Sequence, residues 1–338
     1  DVVCAMPAMR AVKQNFSGSR VTLLTSPGAR GGVGAKDFLD GAPYLDEIIA
    51  YYSDDISTPK KIMELASRLR REKYDLFIQL PDDWARFKTL ARNEVFAKLI
   101  GAKSAFGFRA RTSNLFKKIQ VDFTFKDKES VALLKILAKN GINGTHQEVK
   151  FEFPEYSPLS ADDNSKIEAL KKESEILLGV CMSGKTEDKR WPAEKFGEVL
   201  RNLGAKRKIG LIFFGGPGDF DSAESVAKMC KLPYINFAGK PIKESILAIK
   251  RGDAFLTADT GPMHIAAAFG IPIVALFNIR SVYGSWFPYG ENNICLYKRF
   301  LKCDYLKENC VKQSLLAISA EEVAEACEQV FAAHSKIK

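Results

Sequence analysis

Residues 254–268 read Ala254-Phe255-Leu256-Thr257-Ala258-Asp259-Thr260-Gly261-Pro262-Met263-His264-Ile265-Ala266-Ala267-Ala268. The apolar run Ala254–Ala258 predicts a buried strand, and Gly261-Pro262 ahead of an alanine-rich stretch predicts a helix directly after it. A strand that turns at once into a helix is the repeating unit of a parallel, doubly wound sheet. The turn also leaves the backbone N–H groups of Thr260 and Gly261 at a helix N-terminus, where a diphosphate would be stabilised. Asp259 and His264 read singly as a helix cap and a satisfied helix residue. Together, at a strand-to-helix switch with a glycine between them, they become candidate ligand contacts.

The same alternation recurs on both sides of this stretch. Strands are predicted at Val21–Ser26, Glu47–Tyr52, Asp75–Leu80, Ser104–Phe108 and Gln120–Phe125. A second set follows at Ile176–Ser183, Lys208–Gly215, Tyr234–Phe237 and Ile271–Phe277. Helix-period segments lie between them, among them Pro59–Lys73, Trp84–Ile100, Pro192–Leu203 and Lys243–Lys250. Pro154 and Pro158 interrupt the pattern near residues 151–160. The expected fold class is therefore α/β, with two doubly wound Rossmann-like domains, 1–155 and 156–338, facing a central cleft. Val2–Asn15 reads as a helix with no strand before it, so the reading expects a first strand upstream of Asp1. The last helix opens on the capping box Ser319-x-x-Glu322 and runs to about Ala333.

Composition excludes several classes. The 338 residues are 46% hydrophobic and 27% charged, which rules out disordered, collagenous and coiled-coil chains. Seven scattered cysteines do not form a small disulfide scaffold and point to a reducing compartment. Cys303 and Cys310 are close enough in sequence to bridge or to bind a metal, but no CxxC pair supports a zinc site. Of the net charge of +9, residues 1–150 carry nearly all, with 25 Lys and Arg against 17 Asp and Glu. Such an asymmetry favours an anionic partner such as a phosphorylated glycolipid, a membrane surface or a nucleic acid.

Two further clusters follow predicted strands. In Ser183-Gly184-Lys185-Thr186-Glu187-Asp188-Lys189-Arg190-Trp191-Pro192, the cations Lys185 and Lys189 and the hydroxyls of Ser183 and Thr186 stand where open α/β sheets hold phosphates. The P-loop spacing is absent. In Phe213-Phe214-Gly215-Gly216-Pro217-Gly218-Asp219-Phe220-Asp221, the turn at Gly216 allows backbone approach to a nucleoside. Asp219 or Asp221 would accept from ribose hydroxyls. The Asp219-Phe220-Asp221 triplet alone is a weak metal signature.

Asp1-Val2-Val3 with Pro7 and Arg10, Lys189-Arg190-Trp191-Pro192, Gly215-Gly216-Pro217, Asn236-x-Ala238-Gly239-Lys240 and Asp259-Thr260-Gly261-Pro262-Met263-His264 occur in this order. In that order they resemble glycosyltransferase family nine, the lipopolysaccharide heptosyltransferases. The resemblance implies a GT-B fold, an N-terminal acceptor domain and a C-terminal nucleotide-sugar domain. It implies inverting transfer from ADP-heptose, as a substrate rather than a cofactor, to a lipopolysaccharide-core glycolipid without a metal. Asp1 falls on the family's candidate base. Lys189 and the N–H groups of Thr260 and Gly261 would stabilise charge on the departing diphosphate. Ser183, Lys185, Thr186, Gly216, Asp219, Asp259 and His264 complete the expected donor site.

On the acceptor side, Arg86 and Arg109 lie just beyond predicted strand ends and are the candidates for the anionic glycolipid. The expected location is cytoplasmic and peripheral, at the inner face of the membrane. Two departures from the family appear. The segment after Cys310 lacks the further cysteines of several members, and the acceptor-side histidine is not evident near Lys128–Leu134. Alternatives from the residues are another nucleotide sugar, a sugar-nucleotide epimerase on the same scaffold, or a nucleic-acid-binding α/β protein. No helix-turn-helix, zinc finger or RNP-type aromatic pair supports the last of these, so no nucleic-acid partner is expected.

Overall fold

The computed structural model describes residues 2–81, 87–108, 127–142, 149–184, 186–280, 283–298 and 308–335. Their contacts divide the chain into two compact units, Asp1–Val121 with Glu129–Glu155, and Asp122–Lys128 with Tyr156–Lys338.

In the first unit, β1 (Thr22–Gly28) pairs in parallel with β2 (Glu47–Tyr52), and β3 (Leu76–Ile78) with β4 (Ser104–Phe106). The helix Val2–Asn15 opens the chain, as its apolar spacing predicts, and packs Ala8 and Ala11 against Leu133, Leu134 and Leu137. The helices Pro59–Arg70 and Phe87–Leu99 share a second small core around Leu65, Leu69 and Ile100. Thr58 caps the first of these two, its Oγ1 accepting from the Lys61 N–H. The described residues of this unit thus show two parallel pairs where one sheet is predicted, and the predicted strand Gln120–Phe125 lies outside them.

The described residues of the second unit hold six parallel strands: β5 (Ile176–Cys181), β6 (Ile209–Phe214), β7 (Tyr234–Asn236), β8 (Ala254–Ala258), β9 (Ile273–Phe277) and β10 (Asn293–Tyr297). Their order is β10-β9-β8-β5-β6-β7. The chain therefore winds outward from β5 through β6 to β7, then returns to the other side of β5 and winds outward again from β8. The reversal leaves a crevice beyond the carboxyl ends of β5 and β8, where sheets of this kind bind ligands. β5, β6, β8 and β9 are buried along their whole length, which only a sheet covered on both faces permits. One face carries the helices Ala193–Gly204, Phe220–Cys230 and Ala320–Ser335, whose Phe196, Leu200, Val226, Val323 and Phe331 fill one contiguous core. The capping box of the last helix closes in both directions: Ser319 Oγ accepts from Glu322 N–H and Glu322 Oε2 from Ser319 N–H.

Candidate functional site

Four loops converge on the crevice, and short-range contacts explain why each takes its shape. β8 ends at Ala258, Asp259 follows, and extended Thr260 leads into the helix Gly261–Ala268 with Pro262 in its first turn. Thr260 makes no cap to its own helix. Its hydroxyl donates across the crevice to Cys181 Sγ at 3.7 Å and lies 3.2 Å from Thr257 Oγ1. Ser183 Oγ lies 3.2 Å from the same sulfur. The buried Cys181 thiol, pushed up in pKa by burial, is thus a neutral hub joining the ends of β5 and β8.

Lys189 closes a short 3-10 turn, Glu187–Lys189, after β5. Its ammonium donates to Asp259 Oδ2 at 2.6 Å, bridging the two strands that flank the switch point. Both side chains are largely covered, so this pair is screened less than a surface ion pair. The turn reaches the crevice because residue 184 is glycine. A Cβ there would stand 2.9 Å from the Lys189 carbonyl carbon and 2.9 Å from its Cβ. Gly184→Ala is therefore expected to push the Lys189 turn away and to weaken the affinity of this crevice for an anion at least about tenfold. Overpacking is expected to cost ~1–3 kcal/mol of stability, and titration calorimetry beside urea unfolding checks both.

Residues that sequence reasoning missed hold the turn from below. Asn278, just past β9, donates from Nδ2 to the Asp188 carbonyl at 2.7 Å, and Arg280 Nε lies 3.0 Å from Asp188 Oδ2. Their only sequence signal is position, immediately beyond a strand adjoining the crevice. Trp191 serves packing: the indole N–H donates to the Ile318 carbonyl at 3.3 Å, and the ring meets Phe196 edge-on.

The turn after β6 is closed by its own aspartate. Asp219 Oδ2 accepts from Gly216 N–H at 2.8 Å, and Oδ1 lies 3.6 Å from Arg190 Nη2. Asp219 thereby shapes the loop beside the crevice and ties it to the β5 loop. Asn236 likewise closes its own turn, accepting at Oδ1 from Ala238 N–H.

His264 is buried in the first turns of its helix, edge-on to Trp286 with centroids 6.1 Å apart. Burial holds its pKa down at about 3, so the ring is neutral. The structure thus gathers Ser183, Lys189, Asp259, Thr260, Gly261 and His264 at one crevice, with Gly216 and Asp219 on the neighbouring loop. Thr186 is exposed at the start of the Lys189 turn. Asp1, Arg86, Arg109 and Lys185 lie outside the described residues, as does Cys303, while Cys310 is disulfide-bonded.

The sequence model of glycosyltransferase family 9 (heptosyltransferase) matches residues 62–315. The chain belongs to this family. As a family 9 glycosyltransferase it is an enzyme of the GT-B fold. It is 25% identical over 227 residues to the lipopolysaccharide core heptosyltransferase OpsX of Haemophilus influenzae, a match covering 64% of this chain and 61% of that one. It is 23% identical over 351 residues to lipopolysaccharide heptosyltransferase 3 of Escherichia coli K12, covering 98% and 95%. The structure of the E. coli ADP-heptose LPS heptosyltransferase II superposes with a TM-score of 0.66 at 18% identity, covering 99% of this chain and 96% of that one. In family 9 terms, Lys189-Arg190-Trp191-Pro192 and Asp259–His264 are the two stretches that meet across the crevice.

Proposed function

We propose that this protein transfers a heptose from ADP-heptose to a lipopolysaccharide-core-type glycolipid, with inversion and without a metal. The second unit holds the nucleotide sugar and the first the acceptor. The observation that carries the reading is the Lys189–Asp259 contact beside the N-terminus of the helix Gly261–Ala268, at the β5/β8 switch point. The relatives named above, one of them an ADP-heptose enzyme, supply the donor and the acceptor class.

The chemistry follows from these groups. The acceptor hydroxyl oxygen attacks the anomeric carbon from the face opposite the diphosphate, and its proton goes to a carboxylate base, for which Asp1 is the proposed residue. The carbon–oxygen bond to the diphosphate breaks, and its electron pair leaves on the nucleotide. An ammonium has three N–H donors; Asp259 takes one of Lys189, which leaves two for diphosphate oxygens. Asp259 thereby aims Lys189, and its carboxylate also suits sugar hydroxyls. The Thr260 and Gly261 amides add the helix-end field. Arg86 and Arg109 are proposed to meet the anionic acceptor, which approaches peripherally from the cytoplasmic face of a membrane. No helix among the described residues is long and apolar enough to cross one.

Calorimetric titration with ADP, UDP and GDP in turn, with no metal added, tests the donor. Micromolar binding that prefers ADP and is lost in Asp259→Ala is expected. Preference for another base would replace the donor, and absence of binding to all three would overturn the nucleotide-sugar reading.

A further inference from the structure

The first unit carries its positive charge unevenly. Away from the helices Pro59–Arg70 and Phe87–Leu99, several of its cations sit in ion pairs, Arg10 with Glu152, Lys13 with Asp46, Arg20 with Glu47, Arg30 with Asp55 and Lys103 with Asp75, whereas exposed Lys36 and Lys139 form none among the described residues. The two helices together bear seven cations against two carboxylates. Lys60, Arg68, Arg70, Lys88 and Lys98 form no ion pair among the described residues. The helices are neighbours, since Phe96 and Leu99 of the second pack on the Leu65–Leu69 core of the first. The Arg70 side chain lies over Gly101, just past the end of the second helix, so the charges form one field.

Within that field stands an apolar stripe. Phe87, Ala91 and Val95 recur every fourth residue and so share one face. Phe87 is 75% exposed and Val95 56%, and Met63 on the neighbouring helix is 52% exposed. These are among the most exposed large apolar side chains of the described residues. Lys88 and Arg92 run along one edge of the stripe and Lys98 stands at its end. A solvated basic face has no use for phenylalanine and valine at these positions, and a nucleic-acid groove gains little from aliphatic groups. An anionic bilayer takes both: phosphates meet the cations, and the phenylalanine and valine enter the headgroup–acyl boundary.

We propose that this two-helix face is the surface by which the protein docks on an anionic lipid bilayer. The proposal deepens the reading of a lipid-linked acceptor and rests on it for its purpose, because docking by the first unit brings the acceptor-binding half to the lipid. Binding itself is testable without donor or acceptor. The full chain is sedimented with vesicles of phosphatidylcholine alone and with vesicles containing equal parts of phosphatidylcholine and phosphatidylglycerol. Partition onto the anionic vesicles alone is expected. Lys88→Glu with Lys98→Glu should weaken it at least about tenfold, since each cation near such a surface contributes roughly a fivefold factor. Phe87→Ser with Val95→Ser should abolish the fraction that survives high salt.

Circular dichroism and ADP affinity, which these exposed positions leave unchanged, show that the variants are folded. Loss of ADP binding in every protein, wild type included, would sink the donor reading and leave the docking result standing. Equal partition of wild type and Lys88→Glu/Lys98→Glu, or equal binding to neutral and anionic vesicles, would overturn the docking proposal. So would release of the protein from vesicles by random duplex DNA at lower concentration than the lipid, which would make the partner a nucleic acid.

Discussion

Lys189→Ala is expected to lower kcat/KM for heptosyl transfer by about 10²- to 10³-fold, ~3–4 kcal/mol of transition-state stabilisation. In the proposed reaction, charge on the diphosphate grows as the anomeric bond breaks, so a fixed cation would stabilise the transition state more than bound substrate. Lys189 is fixed. Gly184 admits its turn, Asn278 holds the Asp188 carbonyl beneath it, and Asp259 holds its ammonium at 2.6 Å. The loss should therefore fall mainly on kcat, with a smaller rise in KM for the donor. Lys189→Arg tests the geometry separately, because a guanidinium keeps the charge but presents a planar fork to the carboxylate. Partial recovery of kcat in that variant is expected. Steady-state kinetics over donor concentration reads both, and an unchanged kcat in Lys189→Ala would remove Lys189 from the reaction.

The sheet of the second unit was largely legible because its strands are continuous apolar runs ended by glycine or by charge. Ala254–Ala258 coincides with the predicted strand, and Ile176–Cys181 and Ile209–Phe214 fall inside theirs. β10 was not legible. Asn293–Tyr297 is an edge strand only partly buried, preceded by Glu291-Asn292, so it carries neither a long apolar run nor a clean alternation. The helix Ala161–Glu173 escaped for a related reason: with Ile167 and Leu170 as its buried apolar residues, its period is faint.

At the site, Asp259, Thr260 and Gly261 could be found because they follow the end of β8 directly, and Lys189 because it lies in the charged loop after β5. Their partnership could not, since 70 residues separate Lys189 from Asp259 and only the β5–β8 neighbourhood brings them together. Asp219 shows the opposite limit. Three residues beyond Gly216, it looks like a ribose acceptor in sequence, yet that spacing also lets its carboxylate close the turn on the Gly216 N–H. The Cys181–Thr260 contact had no sequence signal beyond a cysteine in an apolar strand.

Acidification should expose His264 as a destabilising group. Its pKa lies at about 3 in the folded protein, chiefly because burial disfavours the imidazolium. In the unfolded chain the value is about 6.5. Between those two values the unfolded chain holds a proton that the folded protein does not, so stability falls as pH falls. The contribution of the neutral ring is fully present above pH about 6.5 and is lost at ~1.4 kcal/mol per pH unit below it, reaching ~2 kcal/mol by pH 5. His264→Gln keeps a neutral polar side chain and removes the titration. Urea unfolding followed by tryptophan fluorescence, with Trp191 and Trp286 in the same unit as His264, is the measurement. Between pH 7 and pH 5 the wild type should lose ~2 kcal/mol more than His264→Gln, and parallel losses would show that the ring already titrates normally. The same low value has a catalytic consequence. In the proposed reaction, a ring that stays neutral adds no positive charge against the donor diphosphate, which leaves that task to Lys189 and the helix amides. The pH profile of kcat in His264→Gln should then keep the wild-type limbs while its height changes.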